Sequence, residues 1–269
     1  MTDHKKTQPI DPAAPYMGGK RLLAKKIVPI IDSINHTSYA EPFVGMGGIF
    51  LRRTVIPKME VINDYSKDIA NFFRILQRHY VPFLEMLRYQ LTTRADFDRL
   101  IETNADTLTD LERAARFLYL QRTSFGGKVG NRTFGVVYDG SARFNITKLI
   151  STLEDIHCRL SRVVIECLHY SDFLEKYNRP NFLFYLDPPY YNCENDYGKG
   201  LFSKDDFNKI SAILAKLSGS FVMSINDHSE IRRIFKDFCI YDVKTRYSVG
   251  ANVNKSVTEL LISNRELVV

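Results

Sequence analysis

The sequence predicts an α/β fold, a Rossmann-like open sheet with a mainly helical insertion. Three observations predict it. Short apolar runs that end in Gly, Pro or an acid recur in the first 64 residues and after residue 160, as buried strands of such a sheet do. Between them, helical periodicity dominates. A chain of 269 residues exceeds the usual single core, which leaves room for a second lobe. The expected division is a catalytic domain formed by residues 1–64 and 151–269, with residues 65–150 as the insertion.

The first patterned stretch is Pro15-Tyr16-Met17-Gly18-Gly19-Lys20, followed by a helix through Leu22, Leu23, Ile27, Ile30 and Ile31. Its two glycines allow backbone to approach a ligand, and Lys20 adds a cation. Ser38 to Phe50 then predicts a strand, a glycine turn at Gly45 and Gly47, and a helix. This resembles the first βα turn of a nucleotide-binding sheet but is not GxGxxG. Glu41, at the head of Glu41-Pro42-Phe43, disfavours a pyrophosphate and suits a positively charged ligand. Met59 to Asp64 predicts a second strand ending in an acid, where a ribose diol is commonly held; Asp64 is otherwise a turn or N-cap residue.

Helices are expected over Ile69–Leu76, Val81–Leu91, Ala95–Leu100 and Leu108–Leu120, with strand character returning at Phe134–Tyr138. Six basic residues from Arg116 to Lys148 face a single acid, Asp139, and are interleaved with aromatics and glycines. That composition suits a loop gripping a nucleic acid backbone, the alternative being a solvated surface. A third strand, Val163–Leu168, leads to Tyr170-Ser171-Asp172-Phe173. There Asp172 and Phe173 are placed either to hold a base or to begin a helix capped at Ser171 or Asp172.

The run Asn181–Leu186 predicts a buried strand, and Asp187-Pro188-Pro189-Tyr190 follows it at the carboxyl end. An exocyclic amine on a flat ring is a poor nucleophile because its lone pair is delocalised, so two acceptors must draw it toward tetrahedral geometry. Asp187 offers a carboxylate, Pro188 a directionally restricted carbonyl, and Tyr190 a ring to stack. These groups can hold an amine in line with an electrophilic methyl, through positioning and electrostatics. Alone, the four residues equally describe a strand ending in a rigid turn. A polar loop over Tyr191–Lys199, a helix capped by Ser203 and Asp206, and strands at Ser220–Asn226, near Tyr241–Val243 and at Thr258–Ile262 complete the pattern.

In order, these motifs resemble those of the Dam-type, D12 class N6-adenine DNA methyltransferases, and the resemblance covers nearly the whole chain. It implies a Rossmann-like S-adenosylmethionine-dependent methyltransferase sheet with a target-recognition insertion. Catalysis is then expected at Asp187, Pro188, Pro189 and Tyr190, on an adenine flipped from double-stranded DNA. S-adenosylmethionine is expected at Tyr16, Lys20, Glu41, Pro42, Phe43, Gly45, Gly47, Asp64, Asp172, Phe173 and Asp187, with Glu41 balancing its cationic charge. DNA contacts are expected from Arg116, Arg122, Ser124, Lys128, Arg132 and Tyr138. Two departures stand out. The insertion lacks the Asn-Gly-rich run associated with GATC-specific members, and Tyr16 replaces a Trp common in the family. An N4-cytosine enzyme would more often carry Ser in place of Asp187; a ribosomal RNA methylase or a silent binding module would share parts of the pattern.

Composition is that of a globular protein, 45% hydrophobic and 25% charged with a net charge of +6. Neither a membrane span nor a signal peptide is expected, which predicts a cytoplasmic protein. Four cysteines at irregular spacings imply free thiols, with no disulfide framework and no metal site. No obligate protein partner is implied.

Overall fold

The computed structural model describes residues 5–136, 140–194, 202–248 and 254–268. Its main sheet is formed by β1 (Ser38–Glu41), β2 (Met59–Asn63), β3 (Val163–Glu166), β4 (Phe182–Leu186), β5 (Ser220–Asn226), β6 (Cys239–Ser248) and β7 (Asn254–Ser263). The order is 3-2-1-4-5-7-6; the first five strands are parallel, and β7 enters antiparallel between β5 and β6. This is the expected open Rossmann-like sheet. Chain direction across the sheet reverses between β1 and β4, the switch point where such sheets hold ligands beyond their carboxyl ends. Every residue of β4 is buried, so its uninterrupted apolar run is explained by covered faces on both sides.

One core packs α1 (Ala24–Ser33) with α2 (Lys67–Arg78), α3 (Tyr80–Leu87), α4 (Arg94–Glu102), α5 (Asp110–Thr123) and α6 (Ile146–Leu160). The other lies between the opposite face and α7 (Tyr170–Tyr177), α8 (Lys204–Leu214) and α9 (Ser229–Ile234). Phe72, Phe83 and Phe117 from the helical insertion share the first core with Ile27, Tyr39 and Leu183 of the sheet side. The helices between β2 and β3 therefore gain their stability from the same apolar layer as the sheet. Residue 150, the expected boundary of the insertion, falls within α6.

Two local expectations change, and one falls outside the described residues. The glycine turn after β1 leads into a single 3₁₀ turn, Phe50–Arg52, rather than a helix. Arg53 becomes extended and fully buried, its guanidinium meeting Asp32 at 3.2 Å and Glu60 at 3.4 Å and lying over the Tyr39 ring at 3.9 Å. Phe134 forms only an isolated bridge with Ser124, because two main-chain bonds, Phe125 to Thr133 and Gly135 to Thr123, use up the pairing. The loop expected over Tyr191–Lys199 lies outside the described residues after Glu194. The Ser203–Asp206 capping box at α8 forms as the sequence indicates.

Candidate active site

A cavity of about 450 Å³ opens at the switch point. Its lining includes Tyr16, Lys20, Glu41, Pro42, Phe43, Gly45, Asp64, Asp187 and Pro189, residues dispersed over most of the chain and brought together by the strand ends. Glu41 closes β1, Asp64 follows β2 and Asp187 follows β4, so three carboxylates stand at three neighbouring carboxyl ends.

Each acid is held differently. Asp64 accepts the amide of Gly45 at 3.0 Å on one oxygen and that of Ser66 at 2.9 Å on the other. Burial pushes it up to about 6 despite those two donors. Gly45 has φ +51°, and a side chain there would sit 3.1 Å from the Tyr16 ring, so the turn is open to glycine and to little else. Glu41 is buried and accepts the Tyr39 hydroxyl at 2.6 Å. Burial pushes it up to about 8, outweighing the Tyr39 bond and the Arg53 charge that oppose the rise. Arg53 thus fixes Tyr39 from beneath the sheet, and Tyr39 fixes Glu41.

Asp187 is 23% exposed and receives Lys20 Nζ at 3.0 Å and the Ser224 hydroxyl at 3.2 Å. Burial raises its carboxyl to about 6, with Lys20 pulling down and Glu259 pushing up. Lys20 is itself buried; the cost of burial is outweighed by Asp187 and Glu259, which hold it firmly protonated. Its Nζ also donates to the Tyr190 hydroxyl, and that hydroxyl donates to Glu259. Lys20 is therefore the internal counter-ion of Asp187 as well as a residue of the cavity wall. The segment after the motif is pinned by Asn226, which accepts the Tyr191 amide at 2.8 Å and donates to its carbonyl at 3.2 Å.

Several expected residues fall elsewhere. Asp172 is exposed and Phe173 is buried in the core, because α7 starts at Tyr170 with His169 as its cap; His169 and Tyr170 line the cavity instead. Gly47 lies behind the wall, packed against Leu51. Pro188 is buried, and both it and Tyr190 fall outside the lining. Phe202 and Glu259 were not foreseen as site residues. Of these, Glu259 left a signal, a single acid opening the apolar run Leu260-Leu261-Ile262.

The basic stretch is corrected most. Ser124 is fully buried and donates to the Leu120 carbonyl at 2.6 Å, so it cannot meet DNA. Arg122 donates to the carbonyls of Ala13 at 2.5 Å and Arg143 at 3.1 Å, and Arg116 to that of Leu100 at 2.7 Å. Arg132 bonds the Lys128 carbonyl and the Gln121 side chain, both at 3.1 Å. The Arg122 and Arg132 groups satisfy irregular main chain that has no secondary-structure partners, and Arg116 takes a carbonyl in the last turn of α4. Lys128 and Lys148 are exposed, and Tyr138 lies outside the described residues. The insertion reaches the cavity through Gln121, which donates to Pro15 at 2.8 Å and Gly127 at 2.7 Å, while the Met17 amide donates to Gly127 at 3.1 Å. Tyr16 and Lys20 are thereby clamped to the end of α5.

Fold and cavity together define an open α/β protein whose ligand site combines three acids at a switch point, Glu41 buried and Asp64 and Asp187 partly so. The model of the D12 class N6 adenine-specific DNA methyltransferases matches residues 16–249, and the chain belongs to that family. It is an adenine-specific DNA methyltransferase. Over 280 residues it is 28% identical to the type II methyltransferase M1.LlaDCHI of Lactococcus lactis subsp. cremoris, covering 94% of this chain and 95% of that one. It is 23% identical over 264 residues to the type II methyltransferase M.CviBI of Paramecium bursaria Chlorella virus NC1A, covering 94% and 99%. To the retron Ec67 DNA adenine methylase of Escherichia coli it is 25% identical over 242 residues, covering 82% and 80%.

Proposed function

We propose that the chain methylates the N6 amino group of an adenine flipped out of double-stranded DNA, with S-adenosylmethionine as donor. The observation that supports this most is the continuity of one cavity from Tyr16, Glu41 and Asp64 to Asp187 and Pro189. The residues fit that donor. Asp64 keeps acceptor capacity for hydroxyl groups, Glu41 offers a carboxylate to a cation, and Phe43 and Tyr170 with Phe202 form an aromatic wall, their rings 5.7 to 6.2 Å apart. When bound, the donor supplies an electrophilic methyl group on a positively charged sulfur.

The chain's own residues orient the acceptor. Asp187, held by Lys20 and Ser224, accepts a hydrogen of the adenine amine, and the neighbouring Pro188 carbonyl takes the other. The nitrogen lone pair is then freed from the ring and directed along one line. Tyr190 stacks on the base. Residues 65–150 act as the target-recognition insertion, with Lys128 on its exposed side meeting phosphate.

Incubation with S-adenosylmethionine and unmodified genomic DNA, beside ribosomal RNA as a competitor, tests the proposal by modification-sensitive sequencing. Methyladenine confined to DNA is expected. Modification of RNA alone, or of neither, would refute it.

A further inference from the structure

Glu259 is fully buried on β7, in register with Asn226 of β5 and Val243 of β6. It does not line the cavity. Burying a carboxylate in an apolar strand is costly, and an ion pair there stabilises the fold little compared with a well-packed apolar residue. Two of its contacts lead to the site: one oxygen accepts from the Tyr190 hydroxyl and the other lies 3.4 Å from Lys20 Nζ. Lys20 in turn donates to Tyr190 and lies 3.0 Å from Asp187. One ammonium and one hydroxyl thus join two carboxylates that the chain separates by 72 residues.

We infer that Glu259 is a positioning residue for methyl transfer, which sets the plane of the Tyr190 ring and the place of the Lys20 ammonium, and through Lys20 the orientation of Asp187. The inference rests on the function proposed above. Glu259 touches no substrate. It holds the Tyr190 hydroxyl together with Lys20, whose ammonium also lies over the ring at 4.3 Å, and it draws Lys20 away from a simple pair with Asp187. Asp187 is faced by Lys20, Glu259, Tyr185 and Glu41, with Ser224 as a hydrogen-bond donor. Of these groups, Glu259 places a second negative charge on the shared ammonium.

The test compares the wild type with Glu259→Gln, Glu259→Ala, Tyr190→Phe and the Tyr190→Phe/Glu259→Ala double variant. Single-turnover methyl transfer to unmodified duplex DNA is followed across pH, with thermal melts to establish folding. Glu259→Ala is expected to lose about 100-fold in the transfer rate, with KM for S-adenosylmethionine changed by less than about threefold. Glu259→Gln, which still accepts the Tyr190 hydroxyl, should lose about 10-fold. Its acid limb should move to lower pH, because Asp187 loses a like-charged neighbour. In the Tyr190→Phe background the Glu259→Ala loss should shrink, since the two act through one contact.

A folded Glu259→Gln protein with the wild-type rate and an unmoved acid limb would overturn the inference. If Glu259→Ala fails to fold, the Gln variant alone decides by the same criteria. Failure of the wild type to methylate DNA would overturn the underlying function before any Glu259 variant is compared.

Discussion

With Glu41 at the donor's cationic end, as proposed, cofactor affinity depends on pH in a way that can be calculated. With its carboxyl raised to about 8, mainly by burial, the side chain is largely protonated at neutral pH. At pH 7 about one molecule in eleven carries the charge, so recruiting the ionised form costs about 1.4 kcal/mol. A cation bound beside Glu41 favours the ionised form, and binding must release a proton. Affinity for S-adenosylmethionine should therefore rise by about eightfold from about pH 6.5 to about pH 7.5, then flatten above about pH 8. Asp64 and Asp187, both raised to about 6, titrate mostly below that window. Isothermal titration calorimetry in two buffers of different ionisation enthalpy measures affinity and proton release together. Glu41→Gln should abolish both the slope and the release, and S-adenosylhomocysteine, which lacks the sulfonium charge, should show a shallower slope. Equal slopes for the wild type and Glu41→Gln would refute the assignment of Glu41 to the cationic end.

The same shift sets the stability of the unliganded protein. An acid whose folded value exceeds its unfolded value of 4.5 contributes stability that is present below that value and lost as pH rises toward about 8. Melting temperature should fall across that range, and Glu41→Gln should be more stable than the wild type at its upper end by about 1–3 kcal/mol in denaturant titrations. Asp187→Ala should abolish methyl transfer in a radiolabel assay while retaining most DNA affinity, because phosphate contacts dominate binding. Arg122→Ala should destabilise by about 1–3 kcal/mol through two unsatisfied carbonyls, whereas Lys128→Ala should leave the melt unchanged and reduce the salt slope of DNA binding by about one. Gly127→Ala, with φ +65° and a Cβ that would stand 2.8 Å from the Pro15 carbonyl oxygen, should destabilise the clamp and weaken cofactor binding; wild-type calorimetry and melting would count against it.

Legibility in the sequence followed the range of the interaction. Glu41, Asp64 and Asp187 were visible because each ends a strand, and strand ends in an open parallel sheet converge at one edge whatever the side chains do. Asp172 and Phe173 were misplaced by the start of a single helix, a boundary that local pattern locates only to within a residue or two. The partners of Glu259 and Arg53 were beyond reach for a different reason. Both are buried charges whose partners are distant in sequence, and nothing near them in the chain records that a partner exists.

The basic stretch shows where composition misleads. Arg116, Arg122 and Arg132 were expected to contact DNA, yet each donates to main-chain carbonyls or to Gln121 within the protein. A glycine-rich segment without helix or ladder leaves carbonyls that need donors, and a guanidinium with five N–H groups is the side chain best able to supply several at once. The composition that suggests a nucleic acid grip is thus also what an irregular loop needs to hold itself together. Burial separates the two uses. Desolvation lowers the Arg122 and Arg132 guanidinium groups, as expected for cations turned inward, while the exposed Lys128 ammonium remains directed at solvent. Because Arg122 ties α5 to Ala13, and Gln121 ties it to Pro15, a force on the insertion acts directly on the segment that carries Tyr16 and Lys20. The end of α5 is thereby tied, by side-chain-to-main-chain hydrogen bonds, to the segment that carries the ammonium paired with Asp187.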